Sequence, residues 1–167
     1  GGSRHFLMMA GVGLDASIVV KVNPRWKAKT GKLAYWAAGF GEFFRSVAQF
    51  EVNVNGERQR CGYLLASRVR NYGGDLQIAG GASLLRDDFE TVLFRGSNPL
   101  RYAAYMTAVL VRLAQKMPGA RTVAATAMEC AGDAHVQFDG EYGGRLPARI
   151  DRKSTRLNSS HLGISYA

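Results

Sequence analysis

Residues 51 to 61 read Glu51-Val52-Asn53-Val54-Asn55-Gly56-Glu57-Arg58-Gln59-Arg60-Cys61. Val52 and Val54 alternate with polar neighbours, which sends the two valines to one face of an extended chain. Asn55-Gly56 then supplies the two residue types that most readily take positive φ, as a type I′ turn demands. The chain is therefore predicted to fold back, with Glu57 to Cys61 returning beside the first strand. Further short runs bounded by Gly, Asp or Asn read as strands: Phe6 to Met9, Tyr63 to Val69, Phe89 to Phe94, Thr122 to Met128, Val136 to Phe138 and Pro147 to Ile150. Many short strands with few helices predict a mainly β fold, a β-sandwich or barrel-like domain with about two inserted α-helices.

One helix is marked at its start by Asn98-Pro99, an N-cap followed by proline at the first helical position, and at its end by Pro118-Gly119. Leu100, Ala103, Ala104, Val109, Leu110 and Leu113 recur at helical spacing and predict its buried face. The other runs from about Lys32 to Ala48, where Leu33, Trp36, Phe40, Phe43, Phe44 and Val47 form a broad apolar stripe.

The 167 residues suffice for one core. One β-sandwich domain is expected over residues 1–151. From Arg152 to Ala167 the sequence loses any sustained period, so 152–167 reads as a disordered, non-native tail. No run approaches the roughly 20 apolar residues that cross a bilayer, and no signal-peptide pattern opens the chain. A cytoplasmic protein is expected. Cys61 and Cys130 are too few for a disulfide framework.

An excess of 22 Lys and Arg over 13 Asp and Glu, +9 in all, favours anionic partners. Arg25, Lys27, Lys29 and Lys32 cluster, which suits phosphates or an anionic membrane surface at the inner face, with Trp26 as an interfacial anchor. The basic residues lack the aromatic interleaving that stacks single-stranded bases, so no nucleic-acid partner is expected. Without a G-x-S-x-G elbow, and with only His5, His135 and His161, triad hydrolysis is not supported.

Three short motifs can carry chemistry. Gly11-Val12-Gly13-Leu14-Asp15-Ala16 fits the dinucleotide pattern G-x-G-x-x-A, but Ser17 and the β-branched Ile18-Val19-Val20 that follow argue against the helix that a pyrophosphate site needs. The glycines then serve either a tight bend or a cleft in which Asp15 is a polar contact. Leu84-Leu85-Arg86-Asp87-Asp88-Phe89-Glu90 offers oxygen ligands for a hard cation, or is a solvated turn with Arg86 as counter-charge. Asp139-Gly140 is a hairpin signal. Glu141 beside it is either an exposed turn residue or a carboxylate fixed to take a proton from an attacking hydroxyl.

Taken in order, these motifs resemble the C-terminal domain of the bacterial diacylglycerol kinase and YegS-like lipid kinase family, within the NAD kinase/diacylglycerol kinase-like superfamily. The series is Ala10 to Ala16, then Gly31-Lys32-Leu33-Ala34-Tyr35, then Asn71-Tyr72-Gly73-Gly74, then Ala82 to Asp88, then Asp139-Gly140-Glu141. The resemblance spans Phe6 to Ile150. It implies an ATP-dependent lipid kinase acting on the hydroxyl of a diacylglycerol-like lipid, with Glu141 as general base and Asp139 and Gly140 holding its turn. It further implies that Asp15, with Gly11 and Gly13, meets the polar head of the acceptor in the cleft that Glu141 faces. Lys27, Lys29 and Lys32 would touch phosphates or membrane, and Mg2+ would be held by Asp87 and the carbonyls near Leu84 and Phe89. Asp88 stands where the family usually has glycine, and Gly80 where proline is common. The family's Gly-Gly-Asp-Gly nucleotide motif does not occur in these residues. The resemblance therefore implies an absent N-terminal nucleotide-binding domain and no turnover by this chain alone. A non-catalytic β-sandwich binding lipid or protein, and an NAD kinase-like domain, are the alternatives.

Overall fold

The computed structural model of the chain describes residues 3–21, 47–72, 76–153 and 161–166. Its strands are β1 (Ser3–Phe6), β2 (Met9–Gly13), β3 (Phe50–Val54), β4 (Glu57–Cys61), β5 (Tyr63–Ser67), β6 (Phe89–Phe94), β7 (Ala120–Ala125), β8 (Ala127–Ala131), β9 (His135–Phe138), β10 (Glu141–Arg145), β11 (Ala148–Lys153) and β12 (His161–Tyr166). Helices α1 (Leu14–Lys21) and α2 (Pro99–Leu110) and a 3-10 turn (Ala114–Lys116) complete it. The strands form two antiparallel sheets, in the orders β1-β12-β11-β8-β3-β4 and β10-β9-β2-β5-β6-β7. This is the β-sandwich with inserted helices that the sequence predicts.

The hairpin at 51–61 forms as expected. Asn55 and Gly56 both take positive φ, 52° and 82°, and β3 pairs with β4 from Phe50↔Cys61 to Val54↔Glu57. Strand β3 alternates because one face meets the core and the other meets water. In β2, β5 and β6 every residue is buried. Their sheet is covered twice. One core, with Phe6, Val12, Phe50, Leu64 and Ile150, lies between the sheets. The other, with Leu14, Ile18, Leu65, Val92, Tyr102 and Tyr105, lies between the second sheet and the helices.

Helix α2 starts as predicted, with Asn98 Oδ1 accepting from the N–H of Leu100 at 2.9 Å and Pro99 in the first turn. Its buried face differs from the expected one. Tyr102, Tyr105, Met106 and Val109 face the sheet, whereas Leu100 is 73% exposed and Leu110 56%. The aromatic face wins because each ring buries a large area while its hydroxyl finds a carbonyl: Tyr102 donates to Phe94 O at 2.8 Å and Tyr105 to Pro118 O at 2.8 Å. The helix stops at Leu110, short of Pro118, and Arg112 follows in the left-handed region at φ 59°.

Other expectations change. Of Phe6 to Met9, Leu7 and Met8 form the bend between β1 and β2, and Thr122 to Met128 is split at Thr126 into β7 and β8. Within the segment expected to be a tail, Arg152 and Lys153 continue β11, and β12 pairs with both β1 and β11. Ladder pairing belongs to the main chain, so a segment without side-chain period can still fill the gap between two open strand edges. Of the helix expected at Lys32 to Ala48, only Val47 and Ala48 fall among the described residues, and they are not helical. Cys61 and Cys130 are free and buried, and burial pushes Cys130 up to about 12.

Candidate functional site

The Gly11 to Ala16 motif lies where β2 runs into α1. A helix does begin here, contrary to the propensity argument. Leu14 and Ile18 are buried under it, and Ser17 Oγ donates to Gly13 O at 3.0 Å; packing outweighs the weak helix preference of β-branched residues. The order strand, glycines, helix is nevertheless not a dinucleotide site. Strand β2 lies between antiparallel neighbours β5 and β9, and the space left by the glycines is occupied. A Cβ on Gly11 would sit 1.6 Å from Asp15 Oδ2, so the missing side chain is the pocket for that carboxylate. Gly13, at φ 80°, would drive a Cβ to 2.5 Å from both Gly62 O and the Phe50 ring.

Asp15 is 1% exposed. Tyr72 Oη donates to its Oδ1 at 2.5 Å and Gln137 Nε2 to its Oδ2 at 2.6 Å. Burial raises the carboxyl to about 6, against the opposing pull of these two hydrogen bonds. Both oxygens are engaged and sealed from solvent. Asp15, expected to meet the acceptor with Gly11 and Gly13, lies here in a packed polar junction over Gly11. Tyr72, from the Asn71-Tyr72-Gly73-Gly74 motif, enters the same junction.

The second motif is the tip of the β9–β10 hairpin. Asp139 and Gly140 take φ 49° and 85°, the type I′ pattern that Asp-Gly predicts. The Asp139 carboxylate accepts three main-chain hydrogen bonds, from Leu7 N at 2.8 Å and from Met8 N and Met9 N at 2.9 Å each. Its own N–H donates to Met9 O at 2.9 Å. Asp139 therefore anchors the bend between β1 and β2. Its two oxygens are thereby engaged by the main chain of residues 7–9.

Glu141, the first residue of β10, is exposed, and among the described residues no side-chain hydrogen bond or ion pair engages it. In the ladder it pairs with Phe138, and Tyr142 pairs with Gln137. Directly opposed residues share a face, so Glu141 stands on the Phe138 face of the hairpin, while Gln137 and Asp15 occupy the other. The structure thus brings Glu141 and Asp15 to one turn but not onto one wall. Gln137, 1% exposed, joins them: besides donating to Asp15, its Oε1 accepts the N–H of Gly140 at 2.8 Å. The sequence analysis missed it, since a single glutamine inside a strand carries no signal.

The acidic loop does not fit a divalent cation. Arg68 Nη2 donates to the carbonyl of Leu84 at 2.6 Å, and Arg152 Nη1 lies 2.7 Å from both the carbonyl and Oδ1 of Asp87. Asp88 is gripped by Arg86 through two bonds of 2.6 Å, which hold its carboxyl below the usual range. Phe89 opens β6 with its ring in the core between the sheets. Guanidinium groups thus occupy the oxygens expected to take Mg2+. Among the described residues no group of three or more His, Cys, Asp or Glu could hold a metal ion. Lys27, Lys29 and Lys32 lie outside the described residues.

No protein-family model and no curated protein matches the sequence. Solved structures do match. A diacylglycerol kinase-like protein from Bacillus anthracis str. Sterne superposes with a TM-score of 0.63 at 14% identity, over 98% of this chain and 52% of its own. A diacylglycerol kinase from the same organism gives 0.58 at 13%, again over 98% and 52%. This is the fold of about half of a diacylglycerol kinase. Another diacylglycerol kinase-like structure from that organism, with a TM-score of 0.60 and 13% identity, is covered over 53% of its length. At such identity the likeness is one of fold. On this fold, the tip formed by Asp139, Gly140 and Glu141 and the junction around Asp15 lie on opposite faces of one hairpin, joined through Gln137.

Proposed function

We propose that this chain is the acceptor-side half of an ATP-dependent kinase that phosphorylates the hydroxyl of a diacylglycerol-like lipid, with Glu141 as general base. The observation that carries this reading is an exposed carboxylate, without a side-chain partner among the described residues, at a hairpin tip on a diacylglycerol kinase fold. A hydroxyl attacks a phosphoryl group faster when a positioned base takes its proton, which contributes typically 10²–10⁴-fold. The remainder of phosphoryl-transfer catalysis is alignment and charge stabilisation at the nucleotide, and that belongs to the other half. The chain alone is therefore inactive. Because the acidic loop is closed by arginines, no step is assigned to a metal held there. The excess positive charge suits a peripheral stay at an anionic membrane face on the cytoplasmic side. Among the described residues no helix is long and apolar enough to cross a membrane.

The test uses the parent protein with both halves. Labelled phosphate from ATP should appear on diacylglycerol in mixed micelles, and Glu141→Gln should lower kcat by about 10²-fold or more at unchanged acceptor KM. Full activity in that variant removes Glu141 as base. Transfer to NAD in place of lipid selects the NAD kinase-like alternative, and transfer to neither selects the non-catalytic one.

A further inference from the structure

We propose that Gln137 is the positioning residue for Glu141, tying the buried Asp15 carboxylate to the main-chain N–H of Gly140 at the hairpin tip. Its role toward Glu141 rests on the function proposed above; the tether itself does not.

The hydrogen bonds of the tip leave little choice. Asp139 N–H goes to Met9 O, and Glu141 belongs to the ladder opposite Phe138. Gly140 N–H has the Gln137 Oε1 as its acceptor. Since that N–H can only donate, the carboxamide is oriented: oxygen toward Gly140, NH2 toward Asp15 Oδ2. The carboxylate is fixed in turn by Tyr72 and by the space above Gly11. One buried glutamine therefore couples the first turn of α1 to the residue immediately before Glu141.

The coupling depends on a proton. Ionised, Asp15 accepts from both partners. Protonated, it must direct its hydrogen at one of them. If that partner is Gln137, the carboxamide has to turn its oxygen inward, and Gly140 N–H then faces an NH2 group. If it is Tyr72, the phenol hydrogen must leave Asp15. The first change breaks the bond to Gly140; the second leaves it in place but gives the Gln137 NH2 a neutral acceptor instead of a charged one. The other titratable groups on this side of the sheet are His135, Tyr142 and Arg145 on the hairpin, the rings of the first two meeting edge-on at 5.6 Å, Tyr63 on β5, Glu90 on β6, and Tyr102 and Tyr105 on α2. None of them shifts Asp15, whose environment is set by burial, Tyr72 and Gln137, with the changeover near 6.

The experiment follows the Gly140 amide by NMR in the 15N-labelled 167-residue chain. Its shift is expected to titrate with a midpoint near 6 and to stop doing so in Asp15→Asn. In Gln137→Ala its hydrogen exchange is expected to accelerate by about tenfold, as one lost hydrogen bond predicts. Should that variant not fold, the wild-type titration decides alone. A Gly140 shift that is flat through this range, or exchange unchanged in folded Gln137→Ala, overturns the tether. In the parent enzyme Gln137→Ala should lower kcat by roughly 10-fold at constant acceptor KM. An unchanged kcat overturns the positioning role. If Gly140 titrates but the parent transfers no phosphate to lipid, the tether stands and the kinase reading falls. If lipid is phosphorylated while Gly140 stays silent, the reverse holds.

Discussion

Replacing Gly11 by alanine tests whether the early glycine motif is a socket for Asp15. The added Cβ would lie 1.6 Å from Asp15 Oδ2, 2.6 Å from Cγ and 2.7 Å from Gln137 Nε2, so the carboxylate has to leave its place. Leaving breaks its bonds with Tyr72 and Gln137. Hydrogen bonds to a charged group are worth about 1.5–3 kcal/mol each, which puts the loss of two at ~3–6 kcal/mol. The entropy that alanine removes from the unfolded chain returns only ~0.4–1 kcal/mol. Against a total stability of about 5–15 kcal/mol this is a large effect. Urea unfolding followed by circular dichroism measures it. The decisive form is a cycle with Asp15→Ala, in which the same Gly11→Ala change should cost almost nothing because the socket is empty. Equal costs in the two backgrounds, within about 0.5 kcal/mol, refute the socket.

Three further outcomes are expected. Asp15 is raised from 3.8 to about 6 in the fold, so the folded chain holds a proton that the unfolded chain releases between those values. Stability should fall as pH rises through that window by roughly 2–3 kcal/mol, and Asp15→Asn, compared by urea midpoint at each pH, should lack that component. Asp139→Ala takes the acceptor from three N–H groups and places alanine at φ 49°; amide exchange at Leu7, Met8 and Met9 should quicken, with a loss of ~2–4 kcal/mol, and Asp139→Asn should lose less. Millimolar Mg2+ or EDTA should move the Tm by less than about 1 °C, because Arg68 and Arg152 already occupy the loop oxygens, and a rise of several degrees with Mg2+ would show that the metal displaces them.

What could be read from residues alone was what residues decide locally. Asn55-Gly56 and Asp139-Gly140 specify their turns because few pairs accept positive φ twice in succession. Asn98-Pro99 marks a helix start by the same kind of short-range chemistry. Helix α1 was hidden because its β-branched residues speak against a helix, and only cover by the second sheet reverses that preference. The buried face of α2 was misjudged because two tyrosines counted as less apolar than leucine, although their hydroxyls are satisfied inside. Strand β10 carries paired glycines, Gly143 and Gly144, which give no strand signal. At the site, Glu141 was legible through its turn. Gln137 and the arginines that close the acidic loop were not, since Arg68 and Arg152 lie 16 and 65 residues from the carbonyls they bind.

The sheet containing β2, β5 and β6 is a wall shared by two cores. A side chain there cannot be enlarged without disturbing the helices or the opposite sheet, whereas the outward positions of β3 and β4 are free to drift. Among proteins of this architecture, amino-acid variation should therefore gather on the solvent side of the outer sheet. An engineer wishing to add a tag, a label or a new charge has the widest latitude on that same side.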